Sequence, residues 1–310
     1  MMRIGVMGAG AVGAYFGAKL AAAGHDLAFI TRGEHLGTMT QQGLRIISPN
    51  GNLHIKSAVF SADPTNAGIV DMILFCVKSY DTETAAQALG PMIGDHTTIL
   101  SLQNGVDNPE KIARQWGERR TLAGVVYIAG QISTPGVMLH SAGGKIIFGQ
   151  LDGGANKTTK SVAQTLVGAD IASELSRDIQ KVQWTKLLWN APFCAISCLI
   201  RANMKQIAES EMLIKLALDC MTEVQAAALL CGIELPDELL DQAVAFSKGL
   251  GEFKPSMLQD LEARKPLEFE ALNGIVVKLL HRAGKRAPIN QTFYAMLCYW
   301  DKRIREEASS

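Results

Sequence analysis

The sequence predicts an α/β fold in two parts, an α/β domain followed by a mostly α-helical domain, on three observations. The first seventeen residues pass from an apolar run through a glycine-rich turn into an alanine-rich segment, apolar strands then alternate with helical segments, and strand signals cease beyond Arg177. Alternating strands and helices are typical of a parallel sheet covered by helices, whereas sustained helical spacing indicates a helical domain. We therefore predict one domain over residues 1–176 and an all-helical domain over residues 177–310.

The glycine-rich turn lies between an apolar run and a helical segment. Its six residues are Gly8, Ala9, Gly10, Ala11, Val12 and Gly13. In a GxGxxG turn the first glycine allows a sharp bend, the second lets the backbone approach a pyrophosphate, and the third lets the helix lie close to the strand. The free N–H groups and positive dipole end of the helix favour an anion there. The turn therefore predicts a Rossmann-type dinucleotide-binding domain in which these six residues contact the cofactor.

The end of the second predicted strand, residues 26–30, indicates which dinucleotide binds. An acidic residue here would accept a hydrogen bond from the ribose 2′-hydroxyl of NAD, whereas the 2′-phosphate of NADP needs a cationic partner. Arg32 occupies the position, and a guanidinium can hold a phosphate through two parallel hydrogen bonds. NADPH is therefore the predicted cofactor. Glu34 leaves open the alternative that its carboxylate binds an NAD ribose and that Arg32 is a solvated surface charge.

Two further polar residues follow predicted strands of the same sheet. Lys78 comes directly after the nearly continuous apolar run of residues 69–77, and Asn104 follows the strand predicted at residues 97–102. Because ligands of open α/β sheets bind at the carboxyl ends of the strands, both residues are candidate cofactor contacts. The alternatives are a plain surface lysine and an ordinary Asn-Gly turn.

Short strands in the rest of the first domain are expected to pair in antiparallel fashion. Turn-forming residues 49–52 predict a hairpin. Farther along, turn-forming clusters at residues 134–136 and 141–144 separate three predicted strands. These strands are predicted at residues 121–128, 137–140 and 145–148.

The composition of the chain excludes several classes of protein. Hydrophobic residues make up 48% and charged residues 19%, with 30 basic and 30 acidic side chains, so no charge excess favours a nucleic-acid or membrane-surface partner. No apolar run is long enough to span a bilayer, and the first residues form a predicted strand rather than a signal peptide. We therefore predict a cytoplasmic protein. An apolar face of the helical domain could support a homodimer.

The cysteines lie in apolar segments without paired CxxC spacing, which predicts buried thiols in a reducing compartment. They are Cys76, Cys194, Cys198, Cys220, Cys231 and Cys298. Cys194 and Cys198 would share a helix face, but no histidine lies nearby to complete a tetrahedral site. Core packing is therefore the favoured interpretation, and no metal is predicted.

One candidate catalytic segment of the second domain covers residues 182–192. Lys186 and Asn190 lie one helical turn apart in it, among apolar neighbours. A lysine in such surroundings either extends its ammonium to water or presents it to a ligand, and the local sequence leaves both open. Pro192 cannot donate a hydrogen bond to the carbonyl of Leu188, so we expect the helix to bend or open there.

A second candidate segment covers residues 254–274. Ser256 and Glu268 in this segment could both face a cleft. Glu268 and Glu270, which follow Pro266, are also typical of acidic residues that complement the dipole at the start of a helix. Both interpretations remain open for Glu268.

Together these motifs resemble the ketopantoate reductase (2-dehydropantoate 2-reductase) family over almost the whole chain. The resemblance rests on residues 8–13, Arg32, residues 77–78, 103–105, 186–190 and 256–260, Glu268 and residues 273–274. The spacing between Ser256 and Glu268 matches the family pattern. The resemblance implies an oxidoreductase of pantothenate biosynthesis that uses NADPH to reduce a 2-oxo acid to a 2-hydroxy acid.

The resemblance also implies roles for individual residues. Lys186 would be the general acid, because an ammonium at hydrogen-bonding distance can stabilise the negative charge that grows on a ketone oxygen and supply its proton. Glu268 would bind the substrate hydroxyl and belong to the cofactor site as well. Lys78 and Asn104 would contact the cofactor. The remaining residues implied to hold the substrate are Asn190, Asn203 and Ser256.

Two departures from the family pattern concern the substrate more than the reaction. The segment of residues 191–204 places Cys194 where an asparagine often stands, and Gln150 replaces a glutamate. Two alternative functions therefore stay open. One is an NAD-dependent hydroxy-acid or sugar-acid dehydrogenase of the same architecture, and the other is a non-catalytic NADPH-binding regulator whose helical domain binds a partner.

Overall fold

The computed structural model describes residues 1–309 and divides into two compact units, Met1–Ile179 and Gln180–Ser310. All strands of the described residues belong to the first unit, which combines them with helices, whereas the described part of the second unit is helical. This arrangement confirms the predicted fold class, an α/β domain followed by a helical one. Among residues 1–309, no helix has both the length and the hydrophobicity that crossing a membrane requires.

The first unit is built on a single sheet. Its strands are β1 (Arg3–Met7), β2 (Asp26–Ile30), β3 (Leu44–Ile47), β4 (Leu53–Ile55), β5 (Val59–Ser61), β6 (Met72–Phe75), β7 (Thr98–Ser101), β8 (Thr121–Thr134), β9 (Val137–Gln150) and β10 (Ser173–Leu175). The order across the sheet is β4-β3-β9-β8-β7-β6-β1-β2-β5, and β10 pairs with β9. The antiparallel pair β3–β4 confirms the hairpin predicted around residues 49–52.

Five α-helices accompany this sheet in the first unit, and seven more follow within the described residues. Those of the first unit are α1 (Ala11–Ala22), α2 (Gly33–Gln42), α3 (Thr82–Gln87), α4 (Asn108–Trp116) and α5 (Lys157–Gly168). Those that follow are α6 (Ile179–Ile200), α7 (Met204–Ala208), α8 (Glu211–Leu230), α9 (Glu238–Lys248), α10 (Ser256–Glu262), α11 (Ile275–Arg282) and α12 (Pro288–Ser309). A π-helical turn, Glu270–Gly274, leads into α11.

The centre of the sheet is parallel and buried on both faces. Strand β1 pairs with β2 on one side and with β6 on the other, and β6 pairs with β7, all in parallel. All four residues of β6 are buried, as its continuous apolar sequence predicts for a parallel strand covered by helices. The chain leaves β1 for β2 and later returns to β6 on the opposite side. The crevice beside β1 is thus the point of strand-order reversal where such sheets bind ligands.

Strands β8 and β9 correct the prediction of three short antiparallel strands. Each is a single strand of 14 residues, and the two pair in antiparallel fashion. Residues 141–144, predicted as a turn, lie inside β9 beside shifts in the pairing register. Gly143 and Gly144 have φ angles of 78° and 114°. These glycines therefore form bulges that bend a continuous strand, which local sequence does not distinguish from a chain reversal.

Helix α6 forms the buried centre of the second unit. Its apolar residues point in nearly all directions, and Leu188, Ala191 and Phe193 are fully buried. A helix that is apolar all round is typical of a core position. The helix remains helical on both sides of Pro192, so the opening expected there does not occur.

The cysteines are only partly as predicted. Cys194, Cys198 and Cys220 are buried, and burial raises the pKa of the Cys198 thiol to about 12. Cys231 and Cys298 are exposed, which corrects the prediction of six buried thiols. Cys231 caps the end of α8, and Cys298 follows the buried Leu297 and so lies outside the buried stripe of α12. In the described part of the chain, no group of three or more His, Cys, Asp or Glu residues could hold a metal ion.

Candidate active site

The glycine turn after β1 has the geometry that its sequence predicts. Gly8 has a φ of 96°, and a Cβ there would lie 2.7 Å from the backbone nitrogen of Val77. A Cβ on Gly13 would overlap the carbonyl oxygen of Gly8 and lie 2.9 Å from Val6. A Cβ on Gly10 would meet no protein atom within 4 Å. The protein's own packing therefore requires glycine at positions 8 and 13, whereas Gly10 borders open space.

The N-terminus of α1 is suited to bind an anion. Gly10 is its N-cap and supplies no side-chain cap, and the first turn contains no acidic residue. The first N–H groups of a helix have no partner within the helix, so they and the dipole are available to a negatively charged group. Open space at Gly10 together with these donors fits the pyrophosphate of a dinucleotide.

His35 of α2 holds this turn in place. Its Nε2–H donates to the carbonyl oxygen of Ala9 at 3.0 Å, while Nδ1 accepts from the backbone N–H of Gly136, also at 3.0 Å. The main-chain donor at Gly136 fixes the neutral tautomer of the ring. Sequence reasoning missed His35, because its two partners lie 26 and 101 residues away in the chain.

The structure brings the other predicted cofactor residues of the first unit to the same edge of the sheet. Arg32 follows β2 and caps α2, Lys78 follows β6, and Asn104 follows β7. Because β1, β2, β6 and β7 are parallel, their carboxyl ends all lie at the edge that carries the glycine turn.

Arg32 forms an ion pair that the sequence does not reveal. Its guanidinium lies 2.7 Å from a carboxylate oxygen of Asp81, and its side chain is 82% exposed. Exposed pairs of this kind contribute little to stability, so Asp81 is a weak competitor for a phosphate. Glu34, the alternative ribose ligand, is exposed in the first turn of α2.

A buried hydrogen-bond network supports the backbone of Asn104. Gln103 Nε2 donates to Thr82 Oγ1 at 2.7 Å, and Thr82 Oγ1 donates to Asn108 Oδ1 at 2.9 Å. Asn108 Nδ2 then donates to the carbonyl oxygen of Asn104 at 2.6 Å. The buried side chains of Gln103, Thr82 and Asn108 thus fix the main chain that presents Asn104. Gln103 belongs to a motif of the family resemblance, but sequence reasoning assigned no supporting role to it, to Thr82 or to Asn108.

Lys186 and Glu268 lie near each other in the second unit. Glu268 is only 5% exposed and lies two residues before the start of the π-helical turn. Burial of the ammonium lowers the pKa of Lys186 from its ordinary 10.5 to about 8, while the charges of Cys194 and Glu268 act to raise it. An ammonium with this pKa is mostly protonated at neutral pH and can release its proton readily.

One face of α6 carries a row of polar residues through apolar surroundings. Lys186, Asn190 and Cys194 follow one another at intervals of four residues and so share this face. Asn190 is 6% exposed. Gln183, which was not singled out from the sequence, is 4% exposed and has a buried Oε1 without a hydrogen-bond partner. A buried amide oxygen without a partner is costly, so this face is suited to a polar ligand.

The two remaining predicted substrate residues lie at helix starts. Ser256 is the first residue of α10 and is partly exposed. Asn203 caps α7, where its Oδ1 accepts from the backbone N–H of Gln206 and Gln206 Oε1 accepts from that of Asn203, both at 3.0 Å. Asn203 therefore has a structural role as the N-cap of α7.

The two acidic residues that the sequence left equivalent have different surroundings. Glu270 accepts a hydrogen bond from the Tyr294 hydroxyl at 2.6 Å, and this bond raises the pKa of Tyr294 to about 12. Glu268 instead lies buried near Lys186. Glu270 thus fastens the π-helical turn to α12, whereas Glu268 is the acid beside the candidate proton donor.

Comparisons with known proteins agree with these features. The family described as "Ketopantoate reductase PanE/ApbA" matches residues 4–153, and its C-terminal counterpart matches residues 178–298. A 2-dehydropantoate 2-reductase of Mesorhizobium japonicum is 30% identical, covering 96% of this chain and 97% of the relative. A protein of the same name from Pyrococcus abyssi is 29% identical, with the same coverage of both chains.

Solved structures show the same similarity. The PanE/ApbA family ketopantoate reductase of Ralstonia eutropha has a TM-score of 0.90 at 29% identity and covers 97% of this chain and 99% of its own. D-mandelate dehydrogenase, solved with NADH and anilino(oxo)acetate, has a TM-score of 0.90 at 20% identity over 97% of this chain and 99% of its own, and it shares the fold. Both parts of the chain match the family and a relative is similar over nearly the full length, so the chain belongs to the ketopantoate reductase family of oxidoreductases.

Proposed function

We propose that this protein reduces 2-dehydropantoate, or a closely related 2-oxo acid, to the corresponding 2-hydroxy acid with NADPH. The observation that carries the proposal is the half-buried Lys186, whose desolvated ammonium has its pKa lowered to about 8, with the buried carboxylate of Glu268 nearby. The names of the relatives from Mesorhizobium japonicum and Pyrococcus abyssi support the choice of substrate.

The first unit supplies the residues that would hold NADPH. The turn of residues 8–13 would bind the pyrophosphate through main-chain N–H groups, and Arg32 would bind the 2′-phosphate. Lys78 and Asn104 end neighbouring parallel strands at the same edge and would contact the remainder of the dinucleotide. When bound, the reduced nicotinamide supplies the hydride for the carbonyl carbon.

The second unit supplies the proton and the substrate contacts. Lys186 Nζ would donate a hydrogen bond to the ketone oxygen, stabilise the negative charge that grows there and transfer its proton. Glu268 can only accept hydrogen bonds when ionised, which suits a substrate hydroxyl, and it stays a predicted cofactor contact as well. The nearly buried amide of Asn190, on the face of α6 that carries Lys186, would bind a polar group of the substrate, together with Ser256 and Asn203.

A substrate panel tests this proposal. The purified protein is mixed with NADPH or NADH and with 2-dehydropantoate, a branched 2-oxo acid that lacks the hydroxyl, or a 3-oxo acid. We expect NADPH consumption to be fastest with 2-dehydropantoate, because only that substrate offers both a ketone to Lys186 and a hydroxyl to Glu268. Preference for NADH would favour an NAD-dependent dehydrogenase. Tight NADPH binding without turnover of any compound would favour a non-catalytic regulator.

The assignment of cofactor binding to residues 1–176 and of substrate binding to residues 177–310 is part of the same proposal. Homodimer formation stays a prediction from the helical sequence, and sedimentation velocity of the full chain would test it.

A further inference from the structure

A buried chain of hydrogen bonds connects four helical segments of the second unit. Glu223 of α8 accepts bonds of 2.8 Å from the backbone N–H groups of Ile289 and Asn290 and from Asn290 Nδ2. Asn290 Oδ1 accepts a bond of 3.0 Å from Asn273 Nδ2. Asn273 Nδ2 also donates to the carbonyl oxygen of Ala191 at 3.1 Å. Asn273 and Asn290 are both fully buried.

Glu223 determines which atoms donate and which accept in this series of hydrogen bonds. An ionised carboxylate only accepts hydrogen bonds, so Asn290 must present its nitrogen to Glu223 and its oxygen to Asn273. Asn273 must then present its nitrogen to Asn290 and to Ala191. Its own Oδ1 is left buried without a partner. Leaving Oδ1 buried without a partner costs free energy. The favourable contribution of Asn273 therefore comes from the two hydrogen bonds that its Nδ2 donates.

The position of Asn273 links the two proposed catalytic side chains. It lies in the π-helical turn Glu270–Gly274, which begins two residues after Glu268. Its acceptor, Ala191, directly follows Asn190 in α6 and lies five residues beyond Lys186. Single π-helical turns are frequent at functional sites, where they aim a side chain out of the regular helical register.

We propose that Asn273 is a positioning residue whose bond to the Ala191 carbonyl holds Glu268 in place beside Lys186. The inference rests on the proposed function, in which Lys186 donates the proton and Glu268 binds the substrate hydroxyl. Asn273 touches neither substrate nor cofactor. It acts through the main chain of the π-helical turn, and the buried network behind it keeps that turn rigid.

Asn273→Leu tests the proposal, because leucine has a similar volume but cannot donate a hydrogen bond. We expect kcat for 2-dehydropantoate to fall by about tenfold to a hundredfold, since small misplacements of catalytic groups have effects of this size. Val276→Ala is the matched control: it removes volume from a fully buried position of α11 that carries no polar group. If Asn273→Leu does not fold, Glu223→Gln weakens the same network from its far end and is measured in the same way.

A second measurement separates positioning from general destabilisation and needs no substrate. The pH dependence of Lys186 acetylation by acetic anhydride, followed by peptide mass spectrometry, reports the pKa of its ammonium. Glu268 raises this pKa, so its displacement should move the half-reaction pH of Asn273→Leu or Glu223→Gln below that of Val276→Ala.

An equal or higher half-reaction pH in the folded variants would overturn the positioning role, whatever happens to kcat. Absence of 2-oxo acid reduction by the unmodified protein would instead overturn the proposed function. The acetylation experiment would still report where Glu268 lies, so the two failures are distinguishable.

Discussion

We propose that the titration of the Lys186 ammonium controls the rate of the reaction in both directions. Desolvation lowers its pKa to about 8, so the group changes charge within the range where the protein can be assayed. Reduction requires the protonated form as donor, whereas oxidation of the alcohol requires the neutral form as base. A single group should therefore give opposite pH dependences in the two directions.

We predict that kcat/KM for reduction is constant below neutral pH and falls as the pH rises through about 8, while kcat/KM for oxidation rises over the same interval. The sign follows from the lowered pKa, since an unperturbed lysine would keep its proton up to about pH 10. Steady-state rates between pH 6 and about pH 10 check this expectation. An inflection near pH 10 in both directions would show that another group donates the proton.

Arg32 is the residue on which the proposed preference for NADPH over NADH depends. We predict that Arg32→Ala raises the dissociation constant for NADPH by about tenfold to a hundredfold, because charge-assisted hydrogen bonds to the 2′-phosphate are lost. Affinity for NADH, which lacks this phosphate, should change by less than about twofold. Isothermal titration calorimetry measures both constants.

Two variants serve as controls for Arg32. Arg45→Ala removes an exposed arginine from β3 and should alter neither affinity. Asp81→Ala removes the ion-pair partner of Arg32 and should leave NADPH binding unchanged or stronger. Equal losses for NADPH and NADH in Arg32→Ala would argue against a 2′-phosphate site and would favour the ribose role of Glu34.

At the scale of elements, β1, the glycine turn and α1 form one unit in which two glycines serve different purposes. We predict that Gly10→Ala leaves the free energy of unfolding within about 0.5 kcal/mol, because its φ is −65° and a Cβ there faces open space. The added methyl would occupy space needed by the pyrophosphate, so the dissociation constant for NADPH should rise at least about tenfold.

Gly13→Ala is the matched comparison on the same element. Its Cβ would overlap the carbonyl oxygen of Gly8 and crowd Val6, so this variant should lower Tm by several degrees. Thermal unfolding with and without NADPH measures both effects. Unchanged NADPH affinity in Gly10→Ala would contradict the location of the pyrophosphate at this turn.

The elements that sequence reasoning predicts well are those whose signals are local. Strand β2 spans the predicted residues 26–30, and β7 lies within the predicted residues 97–102, because the apolar pattern and the turn residues that predict each strand lie within or beside it. Strand β9 is wrongly predicted from the sequence as two short strands, because Gly143 and Gly144 have the local sequence of a turn. Only their pairing with β8 shows that they form bulges within one strand.

The same distinction holds for the candidate site: residues in contiguous motifs could be predicted, whereas contacts between residues far apart in the sequence could not. Gly8, Gly10 and Lys186 could be identified because their motifs are contiguous. The partners that position the site could not, since the contacts of Arg32 with Asp81 and of Asn273 with Ala191 span 49 and 82 residues. The spacing of polar residues on α6 predicts their common face, but the lowered pKa of Lys186 depends on packing that only the fold provides.

At the scale of the whole molecule, one chain combines a unit with a dinucleotide-binding fold and a helical unit that carries the proposed proton donor. Neither unit alone specifies a reductase, because dinucleotide folds serve many reactions and buried lysines have many roles. The central claim is therefore that the intact chain uses Lys186 to reduce a 2-oxo acid with NADPH.

The most direct test is the rate of NADPH oxidation with 2-dehydropantoate for the unmodified protein, Lys186→Ala and Lys181→Ala. Lys181 is an exposed lysine of the same helix and serves as the matched control. The account predicts turnover by the unmodified protein, a similar rate for Lys181→Ala and a loss of about a hundredfold or more for Lys186→Ala. Undiminished turnover by a folded Lys186→Ala variant would contradict it.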